Sequence, residues 1–200
     1  MLASIVPLGE RARNRRWGVT ASAYVTGSLV GGTLLGALFG LAGRAPVGSG
    51  VVSPRLVLVI IAAICILGAA IDLGVGGLSL PTVHRQVNED WLQRYRGWVY
   101  GVGFGFQLGL GFVTIVTTAS VYLVFVLAFL SASWPAGAIL GAAFGLVRAL
   151  PVLAMARVTT THRLRDAHRR MQGWAPLATR AAIGVQCAVA VIGITVAVRP

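Results

Sequence analysis

The sequence predicts an all-α, polytopic integral membrane protein with about five transmembrane helices. Of its 200 residues, 56% are hydrophobic and 11% are charged, a balance that excludes a soluble domain. The 17 basic residues are all arginine, and most lie in short segments beside apolar stretches, which is the positive-inside pattern. We therefore expect the net charge of +12 to face a lipid bilayer, and we expect no nucleic-acid partner.

The chain divides into a basic arm, residues 1–16, and a single transmembrane domain, residues 17–200. The apolar runs predict spans at about residues 17–42, 55–78, 98–130, 136–156 and 175–198. Arginine is concentrated in the arm and near residues 90 and 165, so these segments are predicted to be cytoplasmic and the C-terminus to lie outside. The first run is too long for a cleaved signal, which favours a multi-pass protein of the plasma membrane.

The third span is too long to be an ordinary membrane helix. Residues 97–130 are uncharged, and as one helix they would measure roughly 50 Å, whereas a bilayer core is about 30 Å thick. We predict a bend or break around Gly109 and Gly111, where the backbone is free to leave the helix. The uncharged polar groups predicted near the middle of the membrane are Gln107, Thr114, Thr117, Thr118 and Gln186. They could line a pathway, or their hydroxyl groups could bond to carbonyls of their own helix.

A short sequence repeat links the first and fourth spans. GTLLGALFGL at residues 32–41 and GAILGAAFGL at residues 137–146 are identical at seven of ten positions. Because these spans are expected to cross in opposite directions, the match predicts an inverted-topology repeat, with chance similarity as the alternative. The glycine rows within it are interpreted as packing surfaces rather than as sites.

The strings GFGFQLGLGFVTIVTT and GAILGAAFGLVRALPVL resemble the transmembrane domain of the cytochrome c biogenesis and thiol-disulfide interchange family (CcdA/DsbD type). The resemblance implies a fold derived from two inverted three-helix repeats. Members of that family carry Pro-Cys pairs that exchange electrons across the membrane, but here Thr114 and Ile115 stand at one such position. The other cysteine-bearing helix has no counterpart, so the resemblance implies a five-span member without the redox motifs. Its unpaired central span would then contact a second membrane subunit or pair in a homodimer.

Asp72 and Arg148 are the two charged residues of the predicted spans that hydropathy does not explain. An ionisable group at membrane depth is costly unless it is paired or faces water, so both are candidate site residues. We expect them at one depth, where they could form an ion pair, with Arg180 joining them or reaching the headgroups. The pair would either fix the register of two helices or act as a gate for an anion or a proton.

The two cysteines, Cys65 and Cys187, are predicted at mid-depth in the second and fifth spans. The favoured interpretation is that they are small buried hydrophobic residues, and the alternative is a redox pair. His162 and His168 lie in a predicted arginine-rich loop before the last span, which does not favour a metal site. We find no motif for a cofactor or for catalysis, so we expect no cofactor and do not predict an enzyme.

The leading functional hypothesis is a small transporter-like or carrier-like protein, with substrate access at the bend of the central span and an Asp72/Arg148 gate. A second hypothesis is a non-catalytic assembly partner in cytochrome c or thiol redox maturation. A third is a transmembrane redox carrier that uses Cys65 and Cys187.

Overall fold

The computed structural model describes residues 5–77, 94–111 and 118–199, and in these segments every regular element is helical. The helices are α1 (Pro7–Ala12), α2 (Trp17–Ala42), α3 (Pro54–Asp72), α4 (Gly97–Gly109), α5 (Ser120–Leu130), α6 (Trp134–Ala154) and α7 (Thr161–Val198). A π-helical turn, Arg44–Gly48, follows α2, and single 3-10 turns follow α3 (Val75–Gly77) and α6 (Met155–Arg157).

Four helical segments are long and apolar enough to cross a membrane. They are Trp17–Gly48, Pro54–Asp72, Trp134–Arg157 and Thr161–Val198, and Ser120–Leu130 is a shorter apolar helix. The prediction of an all-α, polytopic membrane protein is confirmed. The second span ends at Asp72 rather than near residue 78, because Gly74, Gly76 and Gly77 adopt positive φ angles of 67 to 74° that a helix cannot include.

Helix α2 packs against α6 through the two predicted glycine rows, and the two helices run antiparallel. Gly32 lies against Gly141, and Gly36 lies against Gly137. A Cβ atom added at Gly36 would lie 2.1 Å from the Gly137 carbonyl oxygen, so only glycine permits this approach. The packing role of the rows is confirmed, while an inverted-repeat relation between the two segments stays a prediction.

The opposite face of α2 packs against α4 in parallel. Along α4, Gly101 faces Thr20, Gly105 faces Tyr24 and Gly109 faces Ser28. The residue numbers rise together along both helices, as expected if the first and third spans cross in the same direction. Helices α2, α4 and α6 therefore form one close-packed body, which we call the three-helix body.

Helices α3 and α7 form a second, antiparallel pair. Gly193 lies beside the Leu58 carbonyl, while Gln186 bonds to Asp72 at the other end of α3. Helix α5 connects this pair to the three-helix body. Its Leu123 belongs to the cluster of Ala62, Cys65 and Ala190, and its Phe125 contacts the rings of Phe39 and Phe144.

The basic segment before the last span is helical rather than a loop. Helix α7 begins at Thr161, where the Thr160 hydroxyl accepts from the Arg163 amide at 3.4 Å, so it starts well before the predicted residue 175. Leu164, Ala167 and Met171 recur at helical spacing and pack against a cluster of Val6, Met155 and Val158. An amphipathic helix therefore occupies a stretch whose charge alone indicated a loop.

The predicted basic arm is also packed against the bundle within its described part. Ile5, Val6 and Glu10 are buried, and the Leu8 amide donates to the Val158 carbonyl at 3.2 Å. The start of α4 lies beside Thr20. The described basic segments therefore share one end of the bundle, as their common cytoplasmic placement requires, and the compartment that this end faces stays a prediction.

Candidate functional site

The long apolar stretch of residues 97–130 is broken near its middle. Helix α4 ends at Gly109 and α5 begins at Ser120, with Gly111 between them at φ 75°. Gly109 lies against Ser28 and Gly32, so the break is beside the middle of α2. The predicted discontinuity is confirmed at the glycines, whereas Thr114 and Thr117 lie outside the described residues.

Arg148 binds the first end of the break. Its Nη1 donates to the Gly111 carbonyl oxygen at 3.2 Å, and its guanidinium lies 5.3 Å from the centre of the Phe144 ring. A helix leaves its last carbonyls without partners, and the partial negative charge there favours a cation. Arg148 therefore stabilises the carboxyl end of α4 from its position on α6.

Asp72 binds the second end of the break. Its Oδ1 accepts from the Ala119 amide at 2.7 Å, immediately before the first residue of α5. The first amides of a helix lack partners, and the partial positive charge there favours an anion. Asp72 therefore caps the amino end of α5 from its position at the end of α3.

Gln186 connects α7 to the same end. Its Nε2 donates to Asp72 Oδ2 at 2.9 Å and to Ser120 Oγ at 3.0 Å. The residue is 3% exposed, and its Oε1 has no hydrogen-bond partner within the described segments. If the Gln186 amide were flipped, its Oε1 would face the Asp72 carboxylate. The two bonds that Nε2 donates therefore fix which amide atom is the nitrogen.

The expected Asp72–Arg148 ion pair is absent from the ion pairs of the described residues. The two side chains instead bind opposite ends of one discontinuity, because each end offers a partner of complementary charge. Arg180 is exposed on α7 and is not brought to the break, Gln107 is half-buried within α4, and Thr118 is half-buried just before α5.

The two cysteines lie on the contacting helices α3 and α7. Cys65 is buried and Cys187 is exposed, and both are free thiols. Cys65 belongs to the cluster that includes Ala190 of α7. The structure therefore places the two thiols on contacting helices, without a bond between them.

Glu10 is a buried carboxylate that the sequence reasoning missed. It is fully buried and accepts from Thr20 Oγ1 at 2.7 Å, from the Tyr100 hydroxyl, and from Arg13 Nη1 at 3.3 Å. A Cβ atom at Gly97 would lie 2.5 Å from Thr20 Oγ1, so glycine is needed there. In the sequence, the only indication of this buried carboxylate was that Glu10 is a single acidic residue among arginines, three positions after Pro7.

Comparisons with known proteins support a family assignment. A family model described as the cytochrome C biogenesis protein transmembrane region matches residues 2–188. Methylamine utilization protein MauF from Paracoccus versutus is 35% identical over 155 residues, which are 78% of this chain and 55% of that protein. The protein of the same name from Methylorubrum extorquens is 35% identical over 129 residues, which are 64% of this chain and 43% of that protein.

The corresponding MauF protein from Methylobacillus flagellatus is 29% identical over 138 residues, which are 68% of this chain and 48% of that protein. The chain therefore spans about half the length of the curated relatives that it matches. No solved structure matches the chain at a significant level.

Proposed function

The chain belongs to the family of cytochrome c biogenesis protein transmembrane regions, and from this premise we propose that it is a carrier-type membrane protein whose working site is the break in its central span. One observation carries the proposal. Asp72 and Arg148 hold opposite ends of a discontinuous helix at the middle of the bundle. The function would be carried by backbone groups released from the helix and by the two charged side chains that bind them.

Discontinuous helices are a common solution in transport proteins. Backbone that leaves the helical pattern at membrane depth is tolerated where it is enclosed by protein or lines a water-filled cavity. In many transporters the ends of such half-helices bind the substrate or the coupling ion. The break here has a carboxylate at one end and a guanidinium at the other, so it offers partners for both donor and acceptor groups of a cargo.

The two clamping residues come from different parts of the bundle. Arg148 belongs to the three-helix body, whereas Asp72 belongs to the α3–α7 pair. A relative movement of these parts would stretch or release the bond between Asp72 and Ala119. This arrangement supports a gate at the amino end of α5, with the α4 end held in place by Arg148.

The names of the relatives suggest a physiological setting. The MauF proteins are described by name as methylamine utilization proteins. We infer that this chain serves the same process, as a membrane component rather than as the enzyme that acts on the amine.

Solvent access at the break tests the carrier proposal directly. In a variant that lacks both native cysteines, Thr118→Cys should react with a small hydrophilic maleimide in proteoliposomes, because a working break must admit water. The control is Ala128→Cys, since Ala128 is completely buried in α5. Adding Asp72→Asn should increase the rate at which the maleimide labels residue 118, because it weakens the bond from Asp72 to Ala119. Equal protection of both cysteines, with or without Asp72→Asn, would contradict the proposal.

Growth of the native host on methylamine tests the proposed role in methylamine utilization separately. In the native host, Asp72→Asn combined with Arg148→Gln should abolish growth on methylamine while the protein remains at its normal level in the membrane. The matched control is Asp166→Asn with Arg199→Gln, which removes the same charges from residues outside the break. Unimpaired growth of the variant with Asp72→Asn and Arg148→Gln would refute the role in methylamine utilization, and it would leave the labelling result unaffected.

A second candidate function is thiol exchange through Cys65 and Cys187, favoured by their positions as free thiols on the contacting helices α3 and α7. A thiol-trapping gel shift on native membranes, with and without oxidant, separates it from the first proposal. Cys65→Ala and Cys187→Ala identify the bands. Reversible formation of an intramolecular disulfide would favour a redox carrier, and thiols that stay reduced throughout would eliminate this candidate.

A further inference from the structure

An arginine-lined cavity lies at the junction of α6 and α7, away from the break. Its volume is about 480 Å³, which is in the range of small-molecule sites, about 300–1,000 Å³. Arg157, Arg163 and Arg170 line it, together with Asp166. Its apolar lining includes Met171 and Trp174.

The cavity carries an excess of positive charge. Asp166 is already engaged, because it accepts from Arg169 at 2.7 Å and lies 2.8 Å from the His162 ring nitrogen. None of the three lining arginines forms an ion pair with an acidic residue in the described segments. Arg163 Nη1 donates to the Arg157 carbonyl at 3.3 Å, which holds that side chain at the cavity. An anion is therefore the complementary ligand.

The position of the cavity identifies the source of the anion. Helix α7 is arginine-rich up to Arg170, and after Trp174 its only charged residue is Arg180. Trp174 is 72% exposed and Leu177 is 67% exposed, so α7 presents an aromatic side chain followed by an apolar surface. Tryptophan favours the boundary between headgroups and acyl chains, so the cavity lies at the headgroup level.

We propose that this cavity binds the phosphate of an anionic phospholipid. The planar guanidinium groups of Arg157 and Arg170 would donate paired hydrogen bonds to phosphate oxygens. The apolar lining around Met171 would contact the glycerol and the first acyl carbons. Basic pockets between membrane helices bind such headgroups in other proteins. The inference does not depend on the proposed function, because the cavity and the break share no residue.

Native mass spectrometry of the purified full-length protein tests this site. In a neutral detergent, phosphatidylglycerol should bind about tenfold more tightly than phosphatidylcholine, since its phosphate lacks the choline cation that offsets the negative charge and repels the arginines. Arg157→Gln with Arg170→Gln should abolish that preference. The matched control is Arg44→Gln with Arg55→Gln, which removes two exposed arginines from segments outside the cavity and should leave the preference unchanged.

Three other outcomes would contradict binding of an anionic phospholipid in the cavity. Equal binding of the two lipids would overturn the proposal, and so would a preference that survives the loss of both cavity arginines. If inorganic phosphate alone displaces the lipid at equal concentration, the site binds free anions and the assignment to phospholipid is wrong. If the glutamine variant does not fold, Arg157→Lys with Arg170→Lys keeps the charge but removes the forked geometry, and the preference should then fall without vanishing.

Discussion

Asp72 and Arg148 show how a membrane interior can accommodate single charged residues. Each binds a backbone group that the helix break leaves without a partner, and in each case the charge complements the helix end. Position and charge sufficed to single out both residues in the sequence. Their partners could not be predicted, because the partners are main-chain groups whose exposure depends on where α4 ends and α5 begins.

Removing the Asp72 carboxylate should weaken the folded state. Asp72→Ala leaves the Ala119 amide without its acceptor and removes one of the two acceptors of Gln186 Nε2, which costs about 1–3 kcal/mol for buried polar groups. Thermal unfolding in detergent measures the loss. The control Asp166→Ala removes a more exposed carboxylate and should cost less than about 1 kcal/mol. Equal losses in the two variants would show that the cap does not contribute.

Glu10 should hold the amino-terminal segment on the bundle. Glu10→Ala removes the carboxylate that accepts from the buried Tyr100 and Thr20 hydroxyl groups, so α1 should detach and become sensitive to protease. Limited proteolysis followed by mass spectrometry detects cleavage near α1. Arg11→Ala, at an exposed position of the same helix, is the control and should remain resistant. A resistant Glu10→Ala variant would contradict this role.

At the scale of elements, helix packing is dominated by glycine. The α2 helix has glycine on two faces, and these allow close contact with α6 on one side and with α4 on the other. Spacing of glycine in the sequence predicted the first contact correctly. The parallel contact with α4 was not predicted, because it depends on the pairing of helices distant in sequence. The start of α7 was not predicted, because the many arginine and histidine residues there drew attention away from the helical spacing of Leu164, Ala167 and Met171.

A single methyl group should disrupt the contact between α2 and α6. Gly36→Ala places a Cβ atom 2.1 Å from a backbone oxygen, and the required helix shift should cost about 1–3 kcal/mol. Gly184→Ala is the matched control, because no atom lies within 4 Å of that position and alanine stabilises helices by up to about 1 kcal/mol. Thermal unfolding of both variants should therefore change in opposite directions. A Gly36→Ala variant as stable as the parent would exclude tight packing.

At the scale of the whole molecule, the described basic segments gather at one end of the bundle. The amino-terminal segment contacts the junction of α6 and α7, and α4 begins beside α1 and α2. The all-α membrane class was predictable from hydropathy, and the family from the resemblance. Among the described residues, four long apolar helices and one shorter one stand against the prediction of about five spans. The grouping of helices into a three-helix body and a separate pair was not, because α5 divides its contacts between the two.

Reporter fusions test the predicted orientation of this end. Alkaline phosphatase fused after residue 159 should be inactive, because that junction is expected in the cytoplasm. The same enzyme fused after residue 199 should be active, since α7 crosses the membrane between the two points. Activity at both positions, or at residue 159 alone, would contradict the predicted orientation.

The apolar part of α7 is longer than a bilayer core is thick. Residues 175–198 of this helix measure roughly 36 Å, whereas a bilayer core is about 30 Å thick. A long helix accommodates a thinner or thicker bilayer by changing its tilt. Because Gln186 lies on α7 and bonds to Asp72, we expect a change of tilt to act on the side chain that caps α5. Bilayer thickness would then influence the broken helix through a single hydrogen bond.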